Sequence, residues 1–282
     1  MNYSFDWIKY QQSIDSLQKQ YATQPLKLDV FKSLDSTNKK LWQIINEENN
    51  TFPLAVIALQ QTSGQGQWGK VWQSPIGGLY LSVALECNLA LDDSFHLIMA
   101  TAEGVTNILR DYQLPVTIKW SNDLILNSYK LGGIKIETKA IASVIKYAVV
   151  GIGINWNNDV PERGTNITSY YTSVEQKNIV DSSFLSPSQN LISSFEQLTA
   201  ITITGILNGY SNYLKLGADY THHKYQQLLN SIGKPVTINN CQGTIKGVTT
   251  KGKLIVCLQS PGASTVIRLA PGEISLGYDS IT

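Results

Sequence analysis

The sequence predicts an α+β fold, with a large domain over residues 1–230 and a small antiparallel β unit over 231–282. Three observations carry this expectation. Helical and strand-like hydrophobic periodicities are interspersed through the first part of the chain. A length of 282 residues is enough for one large core and one small one. From Gly233 onward the pattern changes to short alternating runs separated by Gly, Pro and Asn turns.

Trp7, Ile8, Ile14 and Leu17 recur at roughly helical spacing and predict an amphipathic helix within residues 5–21. Residues 28–34 read as a strand, after which Ser36 or Thr37 caps a helix bearing Leu41, Trp42, Ile44 and Ile45. Strand-like runs at 54–59 and 79–85 flank a glycine-rich loop. Residues 94–111 predict a helix with Leu97, Ile98, Ala102, Val105 and Leu109 on one face. Strands follow at 116–120, 124–126, 131–137 and 147–154. The segment 157–189, rich in Asn, Ser, Thr and Pro, predicts mostly loop. Helices are expected over 191–213 and 221–229. The runs 236–238, 243–248, 254–258 and 265–269 then predict a small antiparallel barrel or sandwich.

Lys plus Arg number 22 against 21 for Asp plus Glu, so no long-range field gathers nucleic acid. The first residues lack a signal-peptide pattern, and no apolar run is long enough to span a bilayer. Cys87, Cys241 and Cys257 are odd in number and lack metal-ligand spacing, which fits a reducing interior. A cytoplasmic protein without a membrane or DNA partner is the expectation. Only about 27 residues precede the first core strand, short of the roughly 50 a separate domain needs.

Residues 61–72 carry Gly64, Gly66 and Gly69 between two strands, interspersed with Gln61, Gln65, Gln67 and Lys70. Glycine weakens regular structure by roughly 0.5–1 kcal/mol relative to alanine, so three in six positions demand a return. The return on offer is positive φ and close approach of backbone to a ligand. Alone, such a loop is equally a flexible connection. It is neither a Walker A motif nor a dinucleotide fingerprint, because no helix pattern follows it.

Further motifs accompany the loop: Asp35-Ser36-Thr37-Asn38, Lys119-Trp120-Ser121-Asn122-Asp123, Lys130-Leu131-Gly132-Gly133-Ile134-Lys135-Ile136-Glu137 and Gly151-Ile152-Gly153-Ile154-Asn155. In this order, with Gly64 to Trp72, they resemble biotin protein ligases over about residues 28–278. The resemblance implies a mixed β-sheet with helices, related in architecture to the class II aminoacyl-tRNA synthetases, followed by an SH3-like C-terminal β-barrel. It also implies a biotin–[acetyl-CoA-carboxylase] ligase of the AMP-forming type, without a DNA-binding domain. Its substrates are biotin and ATP with Mg²⁺, and its acceptor is the biotin carboxyl carrier protein of acetyl-CoA carboxylase. A homodimer through sheet edges is compatible with the family.

In such a reaction both nucleophiles arrive with the substrates, so the protein needs cations, amides and a dry cavity. The resemblance assigns Lys130 as the catalytic cation, between the biotin carboxylate and the α-phosphate. It assigns biotin binding to Ser36, Thr37, Asn38, Gln61, Gly64, Gln65, Gly66, Trp72, Lys130 and Gly133. Neutral hydroxyls and amides match a ureido ring, which offers one acceptor and two donors. ATP contacts fall to Gln65, Gln67, Lys70, Lys119, Asn122, Asp123, Lys130 and Asn155, with Asp123 engaging Mg²⁺ directly or through water. Read without the resemblance, Lys130 is an exposed hairpin lysine, Asn122-Asp123 a turn and Ser36-Thr37 a helix cap. The rival enzyme reading is a lipoate ligase or octanoyltransferase; the rival from another class is a biotin-responsive regulator or a silent binding protein.

Where relatives often carry loop arginines, this chain has Gln65 and Gln67. Glutamine keeps donors but loses charge, and hydrogen bonds to charged groups are worth about 1.5–3 kcal/mol. The acyl-adenylate is therefore expected to leave this protein faster than it leaves arginine-bearing relatives. A release rate as slow as theirs would overturn that expectation.

Overall fold

The computed structural model of the protein describes residues 5–47, 51–180, 191–260, 263–274 and 276–277. Its strands are β1 (Lys27–Phe31), β2 (Leu54–Ala58), β3 (Gly78–Ala90), β4 (Thr117–Lys119), β5 (Asp123–Leu126), β6 (Tyr129–Ile141) and β7 (Val144–Asn155). They form one seven-stranded sheet in the order β1-β2-β3-β7-β6-β5-β4. Only the β1–β2 pair is parallel, so the sheet is mixed.

Side chains alternate across this sheet with the strand period of two. On one face Ala55, Ile57, Leu81, Val83, Val150 and Ile152 join the main core with the helices α1 (Trp7–Tyr21), α3 (Ser94–Asp111) and α5 (Phe195–Leu228). On the other face Leu54, Val56, Ala84 and Val149 pack on Leu41 of α2 (Thr37–Ile45). That second face is covered only in part, and the remainder carries the site described below.

Two expectations about helices need correction. Residues 167–180 form helix α4 (Ile167–Val180) where loop was expected; residues 181–189 of that expectation lie outside the described residues. Its polar, β-branched composition hides the buried Ile167 and the half-buried Tyr170 and Tyr171 that hold it to the core. The Asn166 carboxamide oxygen caps it by accepting from Ser169 N at 2.8 Å. The two helices expected at 191–213 and 221–229 are one helical segment, α5, interrupted at Gly217 (φ 84°, ψ 178°). Glycine tolerates that φ, and so the chain resumes the helix after a single residue.

The last strands, β8 (Pro235–Ile238), β9 (Cys241–Val248), β10 (Leu254–Ser260) and β11 (Ala263–Leu269), form an antiparallel sheet in the order β11-β10-β9-β8. Ile245, Val248, Leu254 and Val256 belong to the same core as the large sheet. The Trp120 indole donates to Gly252 O at 3.0 Å, and Val248 N donates to the Gln226 side chain at 2.9 Å. The small unit is thus welded to α5 and to the segment that follows β4.

Helices α3 and α5 approach through glycines. A methyl group on Gly104 would collide with Gly205 O, and one on Gly209 with Ala100 O. At an open helical site Gly→Ala gains about 1 kcal/mol. Here Gly209→Ala is expected to lose about 1–3 kcal/mol by overpacking, measured by urea denaturation.

Candidate active site

The floor of the site is a stretch of sheet without side chains. In register, Ser82 (β3) lies opposite Gly151 (β7) and Gly151 opposite Lys135 (β6); Tyr80 lies opposite Gly153, Gly153 opposite Gly133, and Gly133 opposite Asp123 (β5). Residues paired in this way, and those two apart along a strand, point to the same face. Three glycines therefore leave a shallow trough on the α2 side, opening into a cavity of about 580 Å³. The trough is filled to contact: a side chain on Gly151 would collide with Asn38 Oδ1, and a Cβ on Gly153 would lie 2.5 Å from Trp72 Nε1.

One end of the trough is neutral. Thr37 and Asn38, in the first turn of α2, are buried. The Ser82 hydroxyl lies 2.7 Å from Thr37 Oγ1 and 2.6 Å from Asn38 Oδ1. Gln61 Oε1 accepts from Thr37 N at 2.9 Å and from Thr37 Oγ1 at 3.2 Å, while its Nε2 donates to Ser74 Oγ at 3.0 Å. Asn38 Nδ2 is buried and meets no acceptor at hydrogen-bonding geometry, although it lies close enough to Glu137 to lower that carboxyl's pKa. An unmatched buried donor costs about 1–3 kcal/mol, which a ligand carbonyl would relieve.

The other end is cationic. Lys130 Nζ sits 2.7 Å from Asp123 Oδ1 and 5.2 Å from the centroid of the Trp72 ring; Lys119 Nζ lies 4.0 Å from Asp123 Oδ2. Lys70, Lys119, Lys130 and Arg163 line the cavity here against Asp123 and Asp159, four positive groups to two negative. Burial pushes the Lys119 ammonium down to about 8; Asp123 opposes this, and the fields of Lys130, Lys70 and Arg163 add to it. Such a cavity wants an anion. Among the described residues no group of three or more His, Cys, Asp or Glu could hold a metal ion. The Asp123 carboxylate suits Mg²⁺ only where phosphate oxygens and water complete the shell.

The residues around Lys130 hold its backbone on both sides. Its N–H donates to Arg163 O and its carbonyl accepts from Thr165 N, each at 2.9 Å. Asn155 Nδ2 donates to Thr165 O at 3.0 Å and Lys130 O at 3.4 Å, and Asn155 Oδ1 accepts from Asn158 at 3.0 Å. In the glycine loop, Gly66 N donates to Lys70 O at 2.7 Å and Trp72 N to Gly64 O at 2.9 Å. At the loop tip Trp68 (φ 57°) lies against Gly272 of the C-terminal segment.

The region 30–155 matches the model of the biotin/lipoate A/B protein ligase family. That match runs from within the first core strand to the end of β7. It is 32% identical to the bifunctional ligase/repressor BirA of Bacillus subtilis over 134 residues, covering 46% of this chain and 41% of the relative. The first curated relatives, both from Bacillus, are thus matched over less than half their own length, 41% and 46%. The BirA of Salmonella typhimurium is 27% identical over 258 residues, 88% of this chain and 73% of that one. A biotin protein ligase from Aquifex aeolicus, solved with biotin and ATP, superimposes with a TM-score of 0.61 at 21% identity. The match covers 86% of this chain and 99% of that one. The fold is therefore shared with that structure, across both the mixed sheet and the C-terminal β unit.

Of the residues singled out in the sequence, Ser36, Thr37, Asn38, Gln61, Gln65, Gly66, Gln67, Lys70, Trp72, Lys119, Asn122, Asp123, Lys130, Gly133 and Asn155 all line one cavity. Gly64 does not: it lies beneath the loop, where a side chain would strike Ser74 Oγ and Trp72 O. Of the three loop glycines only Gly69 has a positive φ, 71°. Ser36 stands at the N-cap of α2 with extended backbone, yet its side chain caps nothing. Asn122 lines the cavity and also ties the turn between β4 and β5 to β6, because its Nδ2 donates to Ile134 O at 2.7 Å. Ser82, Asn158 and Arg163 were missed, and Lys135, Gly151 and Gly153 stood inside quoted motifs without a role. The alternation Gly151-x-Gly153 within a strand was the available signal, since period two puts both on one face.

Lys119 gives a pH signature. Its folded-state pKa of about 8 lies below the ordinary lysine value of 10.5, so between them the unfolded chain binds more protons. Stability contributed by this group therefore rises with pH from about 8 to 10.5. Urea denaturation at pH 8 and pH 10 is expected to show that rise, and Lys119→Met is expected to diminish it.

Proposed function

We propose that this protein is an ATP-dependent biotin protein ligase. It joins biotin to ATP as biotinyl-5′-AMP, then transfers biotin to a lysine of a biotin carboxyl carrier protein, that of acetyl-CoA carboxylase being the expected acceptor. The observation that most supports this reading is the polarity of a single trough. A neutral amide end at Gly151 and a cationic end at Gly133 share one floor, with the indole of Trp72 over Gly153 between them. Residues two apart along a strand are separated by roughly 7 Å. A bicyclic urea seated at Thr37 and Asn38 would thus send an aliphatic chain past Trp72 and deliver its carboxylate near Lys130.

In the first step a carboxylate oxygen of biotin attacks the α-phosphorus of ATP, and the bond to pyrophosphate breaks. Lys130 offsets the repulsion between the two anions and follows the charge that develops between them. Release of Lys130 from Asp123 accompanies this, and the freed carboxylate would then help hold a Mg²⁺ that arrives on the phosphates. Lys119, Lys70 and Arg163 neutralise the remaining phosphate charge. In the second step the acceptor's amine attacks the acyl carbon and AMP leaves. No enzyme nucleophile is required; the amides, the indole and the glycine loop serve to orient the reactants and keep water from the mixed anhydride.

Purified protein with ATP, Mg²⁺, labelled biotin and an apo carrier domain is expected to raise the carrier's mass by one biotinyl group. Transfer of lipoate instead, or an unchanged mass, would sink the assignment. Lys130→Ala is expected to cut biotin-dependent ATP–pyrophosphate exchange by about 100- to 1000-fold, the cost of losing one transition-state donor.

A further inference from the structure

Lys135 has no role in the account above, yet three contacts single it out. Its strand position faces the trough beside Gly151, where the absent side chain leaves its ammonium room. Lys135 Nζ donates to Gln65 Oε1 of the glycine loop at 3.0 Å and pairs with Glu137 Oε1 at 2.9 Å. Glu137 is fixed in turn by the Trp42 indole, which donates to its Oε2 at 2.7 Å. Burial opposes ionisation of Glu137, but Lys135 and Trp42 hold its pKa below the ordinary value, so the carboxylate is charged when it grips Lys135.

These contacts form a chain from Trp42 on α2 through Glu137 and Lys135 to the loop. The same helix presents Thr37 and Asn38 at its first turn. The loop's own backbone bonds, from Gly66 N to Lys70 O and from Trp72 N to Gly64 O, close the loop on itself and do not tie its tip to the sheet. The Gln65 side chain reaching Lys135 does tie the loop to the sheet.

We propose that Lys135 is a positioning residue that fastens the glycine loop over the cavity through Gln65, so that the loop and the amide end of the site are held by one helix. Gln65 is then an acceptor for a cation supplied by the sheet. The consequence for retention of an acyl-adenylate rests on the ligase reading; the fastening of the loop does not.

Hydrogen exchange of the ligand-free protein tests the fastening directly. Lys135→Met is expected to speed exchange of residues 63–72 at least about fivefold while leaving α3 and α5 unchanged, and Lys135→Arg to restore most of the protection, because a charge-assisted bond of this kind is lost and regained. Gln65→Ala alters an exposed residue and should produce the same loosening, and the two changes together no more than either alone. Equal loop protection in wild type and both single variants would overturn the proposal. In a second arm, adenylate release should quicken in Lys135→Met by a similar factor. Loosened exchange with no adenylate formed by the wild type would leave the fastening standing and remove the ligase reading instead.

Discussion

The structure depends on three places where the chain has no side chain. Gly133, Gly151 and Gly153 lie side by side on a sheet that elsewhere carries Leu, Val and Ile on both faces. Any Cβ at Gly151 or Gly153 would occupy the space now taken by the Asn38 carboxamide and the Trp72 ring. These polar and aromatic groups can rest directly on backbone only because that space is empty. The cost is conformational, since each strand glycine loses more freedom on folding than alanine does. Long neighbouring strands offset it: β3 and β7 pair over eleven positions, so the ladder stays intact where side-chain packing is missing.

Electrostatics at the cationic end follow from the same geometry. Asp123 lies opposite Gly133, which lets Lys130 reach across and meet it at 2.7 Å. A carboxylate among four cations lowers their mutual repulsion without cancelling it: burial is the main reason the Lys119 pKa is depressed, and the neighbouring cations add to it despite Asp123. The residual positive field is what an incoming polyanion would neutralise. Asp123 therefore holds the lysines in place until a stronger partner arrives.

Much of this was legible in the sequence because it is periodic or locally encoded. The 94–111 helix and the long strands follow from hydrophobic spacing, and the motif residues converge because strand ends and tight loops carry them to one face. The illegible parts are tertiary. Helix α4 reads as loop because its few apolar residues are contacts to a core the sequence does not display. Arg163 enters the site only because the 161–165 loop pairs with Lys130, a meeting that no local spacing announces. The amides of Gln61, Asn122 and Asn155 line the cavity as expected. A further part of their work, hidden in the sequence, is to hold the Thr37, Ile134 and Lys130 segments, since an amide near a bend also meets backbone.

The segment from Ile118 to Asp123 is gripped from behind. Tyr225 of α5 donates to Ser121 O at 2.7 Å, Asn230 N donates to Ile118 O at 2.9 Å, and the Trp120 ring is pinned at Gly252. The lysine and aspartate that face the cavity are thus carried on a strip whose rear fastenings all come from the final quarter of the polypeptide. Cutting the chain before that quarter would remove the rear supports from Lys119 and Asp123, while Thr37 and Asn38 would keep their own bonds to Gln61 and Ser82.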